Sequence, residues 1–533
     1  MNIKRKFFLI ILFLSFLFTF ILFKSNKNSK HYFNKNQNIN NKSNTINLNY
    51  NEIIKNKTKK YKKIKIKTDL LYLIINTNGG IIEEAKLLKY KNNLSSLKPI
   101  ELLKTTNSFI YQINNNLIKK EYLFNNTNKI ILPKFRVEKN YYSINNNKNY
   151  ISIPMYYKDD NNNIFIKTLI LKNKSYVIKI INTFINNNIT PIKLSSFGQI
   201  KQTINLPINN KKNNDINKNF RGIAYSSNIE KYKKISFKDN INLNITTKSG
   251  WIAMLQKYFT TAIIPISKTN NIFYSEKTNN NICTIGFQSN PIIIKPFQSH
   301  NFKISLWIGP KLQSDMEKLS PYLSSTIDYG FLWFISKPLF KILKFIHFFF
   351  GNWGFSIILI TLFLRFIMYP ISKFQYIYLK KIILLQPKIK KIKEINKHNK
   401  EKLNEEILKL YKIEKVNPLL GLIPILIQTP IFLSLYNILI ESIELRHSKF
   451  IFWIHDLSDK DPYYILPILL SITIYYIQKI SPININNTPN IKIINFIPII
   501  YSIFFFWFPS GLIIYYIVNN IFIIFQQKKI YKI

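Results

Sequence analysis

Past about residue 330 the chain is dominated by apolar runs, and one of them, IILITLFLRFIMYP (357–370), holds an arginine in its interior. Runs of this kind leave few options. In lipid every backbone N–H and C=O must be satisfied within the segment, so each run must be a helix, of ~20 residues if it spans alone. Five candidate spans follow: Trp353–Ser372, Leu419–Ile440, Tyr463–Gln478, Asn495–Phe508 and Gly511–Phe525. The last three are short, which points to a locally thin membrane or to cover by neighbouring protein. A sixth apolar run, Phe7–Phe23, follows Lys4-Arg5-Lys6. It is longer than a signal-peptide core and no small-x-small site follows it, so it reads as an uncleaved anchor over residues 1–24.

Charge orients these spans. Residues 373–417 carry thirteen lysines against five acidic residues, whereas 441–462 carry five acidic residues against two lysines and one arginine. The positive-inside rule places the 373–417 loop, the 480–494 loop and both termini in the cytoplasm. Six spans satisfy this arrangement. The segment between the first two spans then lies across the membrane.

That segment changes character along its length. Residues 25–60 are rich in Asn, Lys and Ser and read as a flexible linker. From 61 to 325 the pattern is short alternating runs, such as KIKIK (63–67), IFIK (164–167), YVIKI (176–180) and FKISL (302–306), with turns such as Asn78-Gly79-Gly80. Period-two alternation marks half-buried strands, and many of them make a β-sandwich. Residues 326–350 place Lys337, Lys341 and Lys344 on one helical face and aromatics on the other, the pattern of a helix lying in the membrane interface; a helix packed on protein is the alternative.

Other functions are disfavoured. The net charge of +50 would ordinarily point to nucleic acid, but the lysines are scattered among asparagines and no compact nucleic-acid motif occurs. The lone cysteine, Cys283, allows no intrachain disulfide. The six histidines are not clustered as metal ligands are. Neither a metal, a cofactor nor a catalytic constellation is expected.

Arg365 lies twelve residues into its span from Trp353, ~18 Å of helix, in the cytoplasmic half. There it costs about 2.5–3.5 kcal/mol on insertion scales. Snorkelling to the headgroups is one answer; a hydrated cavity within the bundle is the other. Thr361, Gln428, Asn437, Gln478, Ser502, Asn519 and Asn520 lie on the spans and either line such a cavity or tie helices together. The cytoplasmic loop reads as a helical hairpin broken at Gln386-Pro387, with Leu403, Ile407, Leu410 and Tyr411 on one face. It is a candidate docking element for a partner or an incoming chain.

GNWGFSIILITLFLRFIMYP (351–370), LQPKIKKIKE (385–394), LYKIEKVNPLLGLIPILIQTPIFLSLYNIL (410–439), ELRHSKFIFWIHDLSDKDPYYILPIL (444–469) and FFFWFPSGLIIYYIVNN (504–520) together resemble the YidC-type membrane protein insertases of Gram-negative bacteria, as do TDLLYLIINTNGG (68–80) and GWIAMLQKYFTTAIIP (250–265). The resemblance implies a five-helix core over 351–533 with a hydrophilic groove, a periplasmic β-supersandwich, and insertion of inner-membrane proteins, alone or with the Sec translocon, without enzymatic chemistry. It implies Arg365, Thr361, Gln428, Phe432, Phe504 and Tyr516 as groove residues. Nascent membrane proteins, the ribosome and lipid would be its partners. Glu414, just before the third span, is a candidate resting-state partner of Arg365. A solute or anion transporter and a membrane-anchored periplasmic binding protein are the rival readings.

Overall fold

The computed structural model describes residues 63–92, 98–120, 128–130, 132–144, 149–205, 220–239, 241–267, 269–278, 281–396, 399–414, 423–480 and 496–531. The anchor and linker expected over 1–60, the 480–494 loop apart from Ile480, and Lys532 lie outside them. The chain forms two compact units that divide between Ile327 and Asp328.

The first unit is built from strands β1 (Lys63–Lys67), β2 (Leu71–Asn76), β3 (Ile81–Lys91), β4 (Pro99–Thr105), β5 (Ile110–Lys120), β6 (Asn128–Ile130), β7 (Tyr141–Ser143), β8 (Tyr150–Lys158), β9 (Ile164–Lys172), β10 (Val177–Ile185), β11 (Ile192–Thr203), β12 (Gly222–Ser226), β13 (Lys233–Ser236), β14 (Leu243–Thr247), β15 (Trp251–Leu255), β16 (Phe259–Ile266), β17 (Asn271–Thr278), β18 (Ile282–Ser289), β19 (Ile292–Ile294) and β20 (Ser299–Pro310). They make two sheets. One runs β14-β17-β18-β11-β5-β4-β3-β2-β1-β7, with β6 and β19 attached to β5 and β11; the other runs β13-β12-β15-β16-β20-β10-β9-β8. The described ladders are antiparallel except β1 with β7. The alternation seen in the sequence is the burial pattern: Ile64 and Ile66 of β1 are inside while the lysines between are exposed. In β9, Phe165, Lys167, Leu169 and Leu171 face in.

Polar bonds also cross between the sheets. Tyr111 of β5 meets Thr261 of β16, and Asn182 of β10 donates to Asn115 Oδ1 of β5 at 2.7 Å. Lys167, only 1% exposed, donates from Nζ to the carbonyls of Asn115 (2.6 Å), Gly80 (2.9 Å) and Gly79 (3.4 Å). Gly79 and Gly80 both have positive φ, and a Cβ on Gly80 would sit 2.9 Å from Lys167 Nζ. The glycine pair therefore serves both the left-handed turn and the approach of the ammonium. Helix α1 (Gln313–Leu319) ends this unit, and Trp251 Nε1 donates to the Pro321 carbonyl beyond it.

The second unit is helical: α2 (Trp333–Phe350), α3 (Trp353–Ile367), α4 (Tyr369–Leu384), α5 (Gln386–Ile395), α6 (Lys400–Ile413), α7 (Ile423–Glu441), α8 (Ile465–Ile480), α9 (Ile497–Phe505) and α10 (Ser510–Tyr531). Asn352 caps α3, its Oδ1 accepting from Gly354 N at 2.8 Å. Helix α2 packs against α3 and α7, and α10 packs against α3 and α8. Pairs of helices are tied by Ser336 to the Ser434 carbonyl, Ser502 to the Pro467 carbonyl and Asn520 to Thr473. Several polar residues of the expected spans are thus links within the bundle, as lipid-embedded helices require.

The spans differ in detail from the sequence expectation. Trp353–Ser372 is not one straight helix: it breaks after Ile367 and bends by 57° into α4. Pro370 explains the break, since it supplies no N–H to the helix before it and suits the first turn of the next. Among the described residues, one unbroken helix, Ser510–Lys529, is long and apolar enough to cross a membrane, and the bent pair makes a second; Leu426–Glu441 and Ile465–Ile480 are shorter apolar helices. Helix length alone therefore does not establish six spans. The hairpin consists of α5 and α6, with Pro387 at the start of α5 and Asn399 capping α6. Leu385, Ile389 and Tyr411 form its core, with Ile407 and Leu410 against them; Leu403 is half-buried but outside that cluster.

Candidate functional site

Arg365 lies on the last turn of α3 and is 4% exposed. The helix presents Thr361 one turn earlier on the same face, where its hydroxyl is occupied by the Ile357 carbonyl at 2.6 Å. Two other helices close on the guanidinium. From α10, Asn519 Oδ1 accepts from Nε; from α7, Gln428 Oε1 accepts from Nη2 at 2.9 Å. Among the described residues no carboxylate reaches it. Thr361, Leu364, Met368, Gln428, Ile431, Tyr515 and Asn519 surround the arginine and leave a cavity of about 10 Å³, the least that admits one water.

The arginine is thus neither snorkelling nor standing in a broad pool. Amide oxygens replace most of its water. Hydrogen bonds to a charged group are worth about 1.5–3 kcal/mol each, so two of them offset a cost of the size quoted for a mid-membrane arginine. Among the described residues nothing cancels the charge itself.

Next to this cavity lies an aromatic pile. Phe432 of α7 meets Tyr516 of α10 edge-on at 5.0 Å, and Tyr516 meets Phe505 of α9 at 5.0 Å. Phe504 joins through Phe505 (5.5 Å) and Phe508 (4.9 Å), and Phe508 reaches Tyr436 at 5.6 Å. Of the residues singled out in the sequence, Arg365, Thr361 and Gln428 share the cavity, Phe432 and Tyr516 touch each other, and Phe504 belongs to the same pile one ring further on.

Glu414 is placed elsewhere. It terminates α6 and pairs with Lys388 of α5 at 2.8 Å, so the expected ion pair with Arg365 is not formed. Local geometry decides this: Glu414 follows Tyr411, whose ring is fixed in the hairpin core, and the carboxylate points across the hairpin. Tyr515 is a lining residue that the sequence does not mark, whereas Asn519 is marked there only as one of the polar residues on the spans, three positions after Tyr516 on one helical face.

The bundle is fastened at the end where α3 and α10 begin. Asp461, 1% exposed, accepts from Trp453 Nε1 (2.9 Å) and from the backbone N–H groups of Tyr463 (3.1 Å) and Leu466 (2.7 Å). Ser510 N donates to the Asp459 carbonyl at 2.7 Å and Gly511 N to that of Leu457 at 3.0 Å. The segment between α7 and α8 therefore grips the tight break at Pro509-Ser510. Among the described residues no cluster of His, Cys, Asp and Glu can hold a metal.

An apolar helical bundle with a buried cation that no described carboxylate reaches is joined in one chain to a large two-sheet β unit, the two-part make-up of a membrane protein with a large extramembrane domain. Family models agree: residues 63–342 match the YidC periplasmic domain and residues 345–533 the 60Kd inner membrane protein. The chain belongs to the YidC/60Kd family of membrane protein insertases, inner-membrane proteins with a periplasmic domain. This is not a family of enzymes. Among solved structures, the chain is similar to an active YidC insertase with its first transmembrane domain resolved, at 15% identity and a TM-score of 0.37, over 88% of this chain and 92% of that one. A galactose mutarotase related enzyme from Lactobacillus acidophilus (11% identity, TM-score 0.33, 46% and 97% covered) and a putative aldose 1-epimerase from Escherichia coli (8%, 0.29, 46% and 98%) are also similar.

Proposed function

We propose that this chain inserts membrane proteins by drawing the polar leading part of a nascent segment toward Arg365 from the cytoplasmic side, after which the apolar part leaves laterally into lipid. The observation that carries this reading is the guanidinium held by two neutral amides with its charge uncancelled. A buried cation in that state favours an incoming carboxylate, and it shortens the apolar path the carboxylate must cross. The short apolar helices α7 and α8 work in the same direction, because a thinned membrane lowers the barrier further.

In this reading the chain has six spans with both termini in the cytoplasm, counting the N-terminal run and the α9 region as spans, and the β unit is periplasmic. The α5–α6 hairpin faces the cytoplasm, where its lysines suit contact with anionic lipid headgroups or an incoming ribosome–nascent chain complex. Insertion proceeds with or without the Sec translocon and without chemistry of its own.

Depletion of the protein should leave small membrane proteins accessible to protease on the wrong side; normal protection after depletion would refute the reading. Arg365→Ala should impair substrates with acidic translocated parts most, and Arg365→Lys should retain part of the activity. Removing most of residues 61–310 separates this reading from a β-domain binding protein. Surviving insertion supports the groove, and complete loss in a stably produced variant favours the binding protein.

A further inference from the structure

The guanidinium of Arg365 has five N–H donors, and the two amides take a specific pair of them. Asn519 receives Nε–H and Gln428 receives one N–H of Nη2. Nε and Nη2 are the two nitrogens of the guanidinium's side edge. What remains are three N–H groups, both on Nη1 and one on Nη2, for which the described residues supply no hydrogen-bond partner; the end edge is made by one N–H of each of these two nitrogens. Two parallel N–H groups on one edge are the geometry a carboxylate accepts in bidentate fashion.

Asn519 itself is held in place. It is 2% exposed, and its helix is fixed on one side by Asn520, whose Nδ2 donates to Thr473 at 3.0 Å, and on the other by the packing of α10 on α3. Its neutrality matters as much as its position. An aspartate there would bond the same Nε–H and cancel the charge; an apolar residue would leave Nε–H bare and the guanidinium held by Gln428 alone.

We propose that Asn519 is a positioning residue for insertion, holding the side edge of Arg365 with a neutral acceptor so that the end edge and the full positive charge stay available to an acidic segment of the substrate. The proposal rests on the groove reading above and adds which residue sets its selectivity for acid. Gln428 completes the hold from α7, and the pair accounts for a buried arginine that has no carboxylate partner among the described residues.

The test uses the full-length protein in membrane vesicles and two single-span substrates that differ only in a short translocated tail, one with two aspartates and one with two asparagines. Insertion of each is read by protease protection, and the quantity compared is the acidic-to-neutral ratio. Asn519→Asp should lower that ratio about tenfold, because an internal ion pair competes with the substrate carboxylate. Asn519→Leu, which keeps the branched outline and lacks the acceptor, should lower it about threefold. A purely structural role would lower both substrates in parallel and leave the ratio unchanged. A ratio within twofold of wild type for these variants, present at wild-type amounts in the membrane, overturns the proposal. If Asn519→Asp fails to accumulate, Asn519→Leu decides alone. Arg365→Ala separates the two levels: if it lowers the ratio while the Asn519 variants do not, only the positioning role falls, and if it leaves the ratio unchanged, the groove reading falls.

Discussion

Lys167→Met in the β unit tests how a cation is accommodated between the two sheets. Burial pulls the Lys167 ammonium from 10.5 down to about 7, and burial does the same to Lys201 on β11. Between those limits the unfolded chain holds each proton and the folded unit does not. Stability therefore rises with pH across that window, by up to about 1.36 kcal/mol per unit per lysine. From pH 7.5 to 8.5, where a group of pKa about 7 is already mostly neutral when folded, each lysine contributes about 1.2 kcal/mol. The wild-type unit should gain about 2.4 kcal/mol over that step and the Met variant about 1.2. The absolute change at one pH is a poor guide. The variant escapes the cost of burying the amine but strips donors from the carbonyls of Gly79, Gly80 and Asn115, at about 1–3 kcal/mol for each carbonyl left bare. The assay is urea denaturation of residues 63–327 at several pH values, followed by fluorescence of the buried Trp251 and Trp307. Cys283, pushed up to about 12 by burial, bends both curves downward at higher pH and cancels in the difference. Parallel curves for wild type and variant would refute the reasoning. They would mean that three backbone carbonyls keep Lys167 charged throughout the window.

Three further outcomes follow from the helical unit. Asp461→Ala leaves three donors, that of Leu466 buried and the other two partly so, without their acceptor and removes the cap of α8, so limited proteolysis within 442–464 should accelerate, with about 2–4 kcal/mol lost; Asp461→Asn should lose less, and an unchanged cleavage rate in the Ala variant would contradict the role given to the carboxylate. A Cβ on Gly354 would lie 2.0 Å from the Phe450 ring, so Gly354→Val should lower the melting temperature in detergent through overpacking of about 1–3 kcal/mol, and an unaltered melt would show that the ring moves freely. Ile389→Ala empties the hairpin core at a cost of about 2–4 kcal/mol; hydrogen exchange in α5 and α6 should quicken together while α3 and α10 keep their protection, and unchanged exchange in the hairpin would count against a packed core there.

Part of this protein was legible because the relevant physics is local. KIKIK at 63–67 and IFIK at 164–167 alternate with the period of a strand, and they are β1 and the start of β9. Gln386-Pro387 and Asn399 are start signals that act on their own first turn, and α5 and α6 begin there. The charge on Arg365 within an apolar run announced an energetic problem before any contact was known. The bend after Ile367 was less visible, because Pro370 forbids one continuous helix without stating where the next one points.

What surrounds Arg365 was a different matter. Gln428 lies 63 positions away and Asn519 lies 154 away, and no periodicity connects residues across such distances. The sequence also offered Glu414 as a partner on the strength of its charge, but the packing of Tyr411 in the hairpin sends that carboxylate to Lys388. The sequence by itself determined that a cation must be housed among apolar helices, because local composition sets the cost of placing it there. Only the tertiary structure decided that neutral amides from two other helices would house it, because hydrogen bonds depend on which atoms meet within about 3 Å, and three separate helices had to pack before these atoms could meet.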